Sequence, residues 1–194
     1  MMDSGYGAAM ILPLDGEWGF ALGGRGAWST IRVPGCWEAQ GFSKTIDGPA
    51  HYRRSITIPP DWAGRPVFLE FDAVSYACRV TLNGIPVGEH LGLWTPFSLD
   101  VTAAARPGVE NLLELEVWKP GDRYPMRSSL AGFLPDVATT FGGIWQSCRL
   151  TSYTHAFRDL KLDAEPDTGR LYVHGSLFTS RPDLTGIVDI TVDL

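Results

Sequence analysis

The sequence predicts an all-β chain, and three observations predict it. Apolar and polar residues alternate with a period of two in segment after segment, Gly and Pro punctuate those segments at short intervals, and no stretch carries an apolar stripe at helical spacing. Many short antiparallel strands divided by turn residues make a β-sandwich or jelly roll the expected architecture.

Each element follows from its own pattern. "HYRRSITIPPDWAG" puts Tyr52, Arg54, Ile56 and Ile58 on one face, and Pro59-Pro60 and Gly64 end the strand. Trp62, in that turn, is expected as a surface plug over the core edge. "RPVFLEFDAV" sets Val67, Leu69, Phe71 and Ala73 on one side, with Phe68 on the other beside Glu70 and Asp72. "SYACRVTL" points Tyr76, Cys78, Val80 and Leu82 inward and Arg79 and Thr81 outward. Asn83-Gly84 tolerates the positive φ angles of a type I′ turn, whose twist suits a hairpin. Pro86 lacks a donor N–H, so the returning strand belongs at an edge or turns that position away from its neighbour. "NLLELEVW" sets Leu113, Leu115 and Val117 against Glu114 and Glu116. "GGIWQSCRLTSY" sets Ile144, Gln146, Cys148 and Leu150 against Trp145, Ser147 and Arg149.

From about His155 the pattern thins. "LKLDAEPDTGRLYVHGSLF" reads as a hairpin turning at Asp167-Thr168-Gly169, and "GIVDITVDL" as one further strand. Three strands fall short of the roughly seven that close an immunoglobulin-like sandwich. The chain is therefore expected to divide into a jelly-roll domain over 1–153 and a truncated second sandwich over 154–194.

Bulk properties exclude several function classes. A net charge of −6, with Arg and Lys scattered, argues against nucleic-acid or anionic-membrane binding. No segment approaches the roughly 20 apolar residues of a membrane span, and the N-terminus has no basic start before its apolar run, which Pro13 breaks. The three cysteines, Cys36, Cys78 and Cys148, form no CxxC pair and fit a reduced, cytoplasmic chain. The four histidines lie far apart, so no metal site is expected and no cofactor is implied. There is no GxSxG elbow, and the glycine-rich "GGRGAW" precedes no helix whose amides would hold a phosphate. Glu70, Asp72, Glu114 and Glu116 fall on the polar faces of strands, so no catalytic constellation is expected in this chain.

The seven tryptophans carry more information. Sugar rings stack on aromatic faces while polar neighbours take the hydroxyls. Trp18 and Trp145, in or beside strands, are expected to pack the core. Trp37 and Trp94 stand next to Gly/Pro loops, where packing and ligand contact are both open. His90 either donates to a hydroxyl or ties down its own loop.

Six segments in order then resemble the N-terminal sugar-binding domain of glycoside hydrolase family 2, which includes β-galactosidases, β-glucuronidases and β-mannosidases. They are "LDGEWGF", "VPGCWEAQGF", "YRRSITIPPDWAGRPVFLEFDAV", "VTLNGIPVGEHLGLWTPFSLDVT", "RPGVENLLELEV" and "FGGIWQSCRL", and they cover nearly all of residues 12–151. The resemblance implies a jelly roll like the galactose-binding fold, then an immunoglobulin-like sandwich, then a TIM barrel holding the acid/base and nucleophile glutamates of a retaining β-glycosidase. On that basis the chain is a non-catalytic piece of the enzyme, and its partners are a β-glycoside, the two downstream domains and, in the full-length enzyme, a homo-oligomer. A stand-alone carbohydrate-binding module and a purely structural domain are the alternatives. The resemblance also implies site residues: Asp136, ahead of "GGIW", as the Asp that reaches substrate in glucuronidase-like members, with Trp37, Trp94 and His90 as contributors. Five positions depart from the family pattern. Cys36 and, approximately, Gly92 stand where β-galactosidases have an Asn and an Asp that the domain lends to the substrate, Leu93 and Trp94 replace a glycine and a tyrosine of the glucuronidase-like loop form, and His51 replaces a Trp before "YRR".

Overall fold

The structure is a computed structural model that describes residues 10–24, 26–125, 140–153 and 155–179. Twelve strands make up its regular structure: β1 (Met10–Pro13), β2 (Gly16–Leu22), β3 (Ser29–Val33), β4 (Ala50–Thr57), β5 (Val67–Phe71), β6 (Ala77–Leu82), β7 (Ile85–Leu91), β8 (Phe97–Asp100), β9 (Glu110–Trp118), β10 (Cys148–Ser152), β11 (His155–Glu165) and β12 (Arg170–Thr179). A six-stranded sheet in the order β3-β2-β4-β9-β6-β7 and a four-stranded sheet in the order β1-β10-β5-β8 form a β-sandwich, and β11 and β12 form a separate two-stranded sheet. Every pairing is antiparallel.

Side-chain alternation explains the core. Tyr52 and Ile56 of β4, Leu113, Leu115 and Val117 of β9, and Cys78, Val80 and Leu82 of β6 point into one buried cluster. Leu69 and Phe71 of β5 and Cys148 and Leu150 of β10 meet them from the opposite sheet. Phe20 is its aromatic centre, 4.9 Å from Tyr52 and 4.5 Å from Phe42 in edge-to-face geometry. Arg54, in phase with the inward residues, turns its guanidinium to the carbonyls of Leu14 and Asp15 and so avoids an unpaired buried charge.

The outer faces are charged ladders. Across the six-stranded sheet, His51, Glu116, Arg79 and Glu89 stand in register on β4, β9, β6 and β7. His51 Nδ1 lies 3.6 Å from Glu116, and Arg79 lies 3.7 Å from Glu89. On the four-stranded sheet, Arg149 of β10 pairs with Glu70 at 3.1 Å and with Asp72 at 3.0 Å. Of the strand carboxylates, Glu70, Asp72 and Glu116 thus stand beside basic partners on the sheet faces. Phe68 is on this outer face as expected, yet it is buried, with the Tyr153 ring 6.4 Å away.

The hairpin expectations hold in detail. Asn83 and Gly84 have φ of 56° and 75°, and β7, which carries Pro86, is an edge strand. Asn83 adds tertiary bonds to its turn role: its Nδ2 donates to the Ala104 carbonyl and to Asn111 Oδ1, and its Oδ1 accepts from the Leu112 amide. The β11–β12 hairpin turns through residues 166–169, with the Gly169 amide donating to the Glu165 carbonyl. Leu162, Leu171, Tyr172 and Leu177 are exposed on it. The further strand read in "GIVDITVDL" lies outside the described residues.

Three local expectations are corrected. Trp62 is buried in the core cluster rather than a surface plug, because a single 3-10 turn over Pro60–Trp62 rotates the indole inward. Tyr76 is only half-buried: it precedes β6, and its ring meets Tyr124 edge-on at 5.6 Å. Gln146 is exposed, because strand pairing starts only at Cys148 and residues 140–147 follow an irregular path. All three cysteines are free thiols. Burial pushes Cys78 up to about 12 and raises Cys148 as well, so both are poor nucleophiles at neutral pH.

Candidate functional site

Two of the residues singled out from sequence, Trp37 and Trp94, meet one stretch, 140–145, which the sandwich grips from both sides. Gly35 N donates to the Ile144 carbonyl at 2.9 Å, and Trp37 N donates to the Gly142 carbonyl at 3.0 Å. On the opposite flank, Ser75 and Gly143 exchange two backbone hydrogen bonds, and Ser75 Oγ donates to the Phe141 carbonyl at 2.6 Å. Thr140 Oγ1 donates to the Pro120 carbonyl at 2.7 Å. These bonds pair the backbone groups of a segment that lies outside any strand.

The solvent-facing side of this segment is aromatic. Trp94, Phe141 and Trp145 form a mutual edge-to-face triad, with centroids 5.3 Å apart for Trp94–Trp145, 6.0 Å for Trp94–Phe141 and 5.6 Å for Phe141–Trp145. Trp94 is 56% exposed. Trp145 is half-buried, and its Nε1 donates to the Leu93 carbonyl at 3.0 Å, which pins the base of the Trp94 loop. Two rigid rings thus hold a third at the surface, so it needs little ordering on contact with a ligand.

His90 stands at the start of the same loop. Its ring stacks on Phe97 at 4.0 Å and 8°, and its Nε2 lies 3.3 Å from Thr95 Oγ1. Both contacts tie the loop to itself, and desolvation holds the imidazole below its ordinary pKa. Of the two roles left open for His90, these contacts describe loop anchoring.

Trp37 has a different fate. Its indole is fully buried, lying 6.3 Å from Phe20 and against Gly142, where a Cβ would collide with the ring. From that position it packs the segment from behind and presents no face to solvent. Asp136 lies outside the described residues. So the described structure sets His90 near the end of β7 and Trp94 on the loop that follows, places Trp37 on the other side of 140–145 from Trp94, and adds Phe141 and Trp145.

One buried polar group was missed at the sequence level. Lys119, immediately after β9, is only 1% exposed, and its Nζ donates to Glu38 Oε1 at 3.0 Å and to the Lys44 carbonyl at 2.7 Å. Glu38 Oε2 accepts from Gly142 N at 3.1 Å. The signal was present in the alternation: Lys119 is in phase with Leu113, Leu115 and Val117, the inward side of β9. Among the described residues, no cluster of three His, Cys, Asp or Glu side chains is arranged to hold a metal ion.

Comparison with known proteins places this arrangement. A family model described as the glycosyl hydrolase 2 galactose-binding domain-like module matches residues 41–132. The chain is 27% identical over 147 residues to a β-glucuronidase of Formosa agariphila, covering 75% of this chain and 14% of that protein. It is 32% identical over 104 residues to a β-glucuronidase of Bacteroides fragilis, covering 50% and 15%. It is 27% identical over 172 residues to a β-galactosidase of Psychromonas ingrahamii, covering 78% and 16%. The chain thus spans only about one-seventh of the length of these relatives. The solved β-glucuronidase of Ruminococcus gnavus has the same fold, with a TM-score of 0.67 at 18% identity over 91% of this chain and 34% of that one. Residues 41–132 thus match the galactose-binding-like domain of glycosyl hydrolase family 2, in a chain similar to β-glucuronidases and β-galactosidases.

Proposed function

We propose that this chain is the sugar-side wall of a cytoplasmic, retaining β-glycosidase acting on β-glucuronides or β-galactosides, and that it is not catalytic alone. The observation that carries the reading is the exposed Trp94 held by Phe141 and Trp145 on a domain of this family. Such a patch offers a C–H-binding face to a pyranose ring, while the carboxylates that break the glycosidic bond stand on another domain. The names of the relatives, β-glucuronidase and β-galactosidase, support that substrate class. Asp136 belongs to the same reading as a polar contact to substrate, on the strength of the sequence resemblance. The β11–β12 hairpin, whose leucines are exposed on the two strands that the described residues supply there, is read as the start of an immunoglobulin-like sandwich after a boundary near residue 153. A TIM barrel beyond it supplies the two glutamates, and the full-length enzyme assembles as a homo-oligomer. The free thiols support the cytoplasmic location.

The test is an assay of this chain and of a full-length protein carrying it against chromogenic β-glucuronides and β-galactosides. The reading expects turnover of at least one substrate by the long form only. Turnover by the short form, or none by either, overturns it.

A second reading has its own observation. Trp37 is sealed in the core and His90 is committed to its loop, as a purely structural domain requires. Titrating this chain with monosaccharides under tryptophan fluorescence separates the two readings. A saturable change favours a sugar-contacting wall, and a flat response favours a brace.

A further inference from the structure

We propose that the buried Glu38–Lys119 ion pair is a positioning device for the aromatic rim, holding segment 140–145 where Phe141 and Trp145 fix Trp94. The inference rests on the reading that this rim faces a glycoside.

Burying two charges is expensive, and an ion pair inside a protein often contributes no more stability than a well-packed apolar pair of equal volume. The sandwich already has a continuous aromatic and aliphatic core, so stability alone gives no reason for a lysine that is 1% exposed. What an apolar pair cannot supply is direction. The two oxygens of Glu38 serve different elements: Oε1 takes the ammonium at the end of β9, and Oε2 takes the amide of Gly142. Lys119 is fixed in turn by the Lys44 carbonyl.

Gly142 is buried, so its N–H would have no acceptor if Glu38 became apolar. Glycine is also required there, since any side chain would enter the Trp37 ring. The neighbouring residues then inherit the position. Phe141 immediately precedes Gly142 and Trp145 lies three residues beyond it, and both pack edge-on against Trp94. Glu38 and Lys119 touch no solvent-facing ring themselves. They act through Gly142 and are positioning residues.

The experiment uses a full-length protein carrying this domain and compares two double variants. Lys119→Met with Glu38→Leu removes both charges and the acceptor for Gly142, whereas Lys119→Met with Glu38→Gln removes the charges and keeps an amide oxygen in the acceptor position. The Leu variant is expected to show faster hydrogen exchange in peptides spanning 140–145. Its KM for a chromogenic β-glucuronide or β-galactoside should rise about tenfold with kcat within about twofold, since uniform binding is what is lost. The Gln variant should stay near the parent in both.

Should the Leu variant not fold, Lys119→Met with Glu38→Ala, which removes both charges and adds no bulk at position 38, is expected to give the same exchange and KM changes. Parental exchange and KM in a folded Leu or Ala variant would overturn the proposal. So would equal losses in the Gln and Leu variants, which would mark the pair as structural. Absence of turnover by the parent on both substrates would defeat the glycosidase reading instead, and exchange at 140–145 would still decide whether the pair positions the segment.

Discussion

Trp37 and Trp94 stand beside similar Gly/Pro-rich loops, yet one is 0% exposed and the other 56%. The two rings lie on opposite sides of the same short segment. Gly142 leaves a gap on the inner side that the Trp37 indole fills, whereas Phe141 and Trp145 build up the outer side and hold Trp94 at the surface. The side chain facing the ring decides the role of each tryptophan, and the ring's own loop does not. An inner tryptophan of this kind supports the fold, and an outer one is free for recognition.

The contrast can be broken by mutation. Trp37→Ala should be the most damaging change, costing about 3–5 kcal/mol in denaturant unfolding because the vacated volume lies among packed rings. Gly142→Ala should cost about 1–3 kcal/mol by overpacking against the indole, and combining it with Trp37→Leu should recover part of that loss. Trp94→Ala should shift unfolding by no more than about 0.5 kcal/mol, as expected of an exposed ring. A larger shift would mean that the outer ring is also part of the core.

The smallest effect concerns pH. Burial holds the His90 imidazole below its ordinary pKa, so the folded state keeps it neutral while the unfolded chain takes up a proton. The stability it contributes is fully present above the unfolded value and is lost as pH falls through it toward the lower folded value. Thermal unfolding from pH 7.5 down to 5.5 should therefore steepen in the parent relative to His90→Gln. Matching pH profiles would show that the ring is solvated in the folded loop.

How much of this was legible in sequence depends on the distance over which each feature is decided. Strands β4, β5, β6 and β9 were readable because alternation is local, and the Asn83-Gly84 turn and the edge position of Pro86 followed from φ preference and a missing donor. Tyr76 and Gln146 were misread because alternation was carried past the ends of pairing. Trp62 was misread because a single 3-10 turn reverses a side chain with no periodic signature. The burial of Trp37 and the Glu38–Gly142 bond depend on residues 104 positions apart in the case of the bond, and no local pattern encodes such a meeting. Lys119 is the exception. A lysine in phase with three inward aliphatic residues announces a buried partner, although it does not say which carboxylate supplies it.

The central claim is that this domain lends a surface aromatic to a glycoside site instead of merely bracing the rest of the enzyme. Steady-state kinetics of Trp94→Ala in a full-length protein carrying the domain tests it most directly. A KM for a chromogenic β-glucuronide or β-galactoside raised about tenfold, with the unfolding temperature unchanged, is the predicted result. Parental KM and kcat in a correctly folded variant would contradict it.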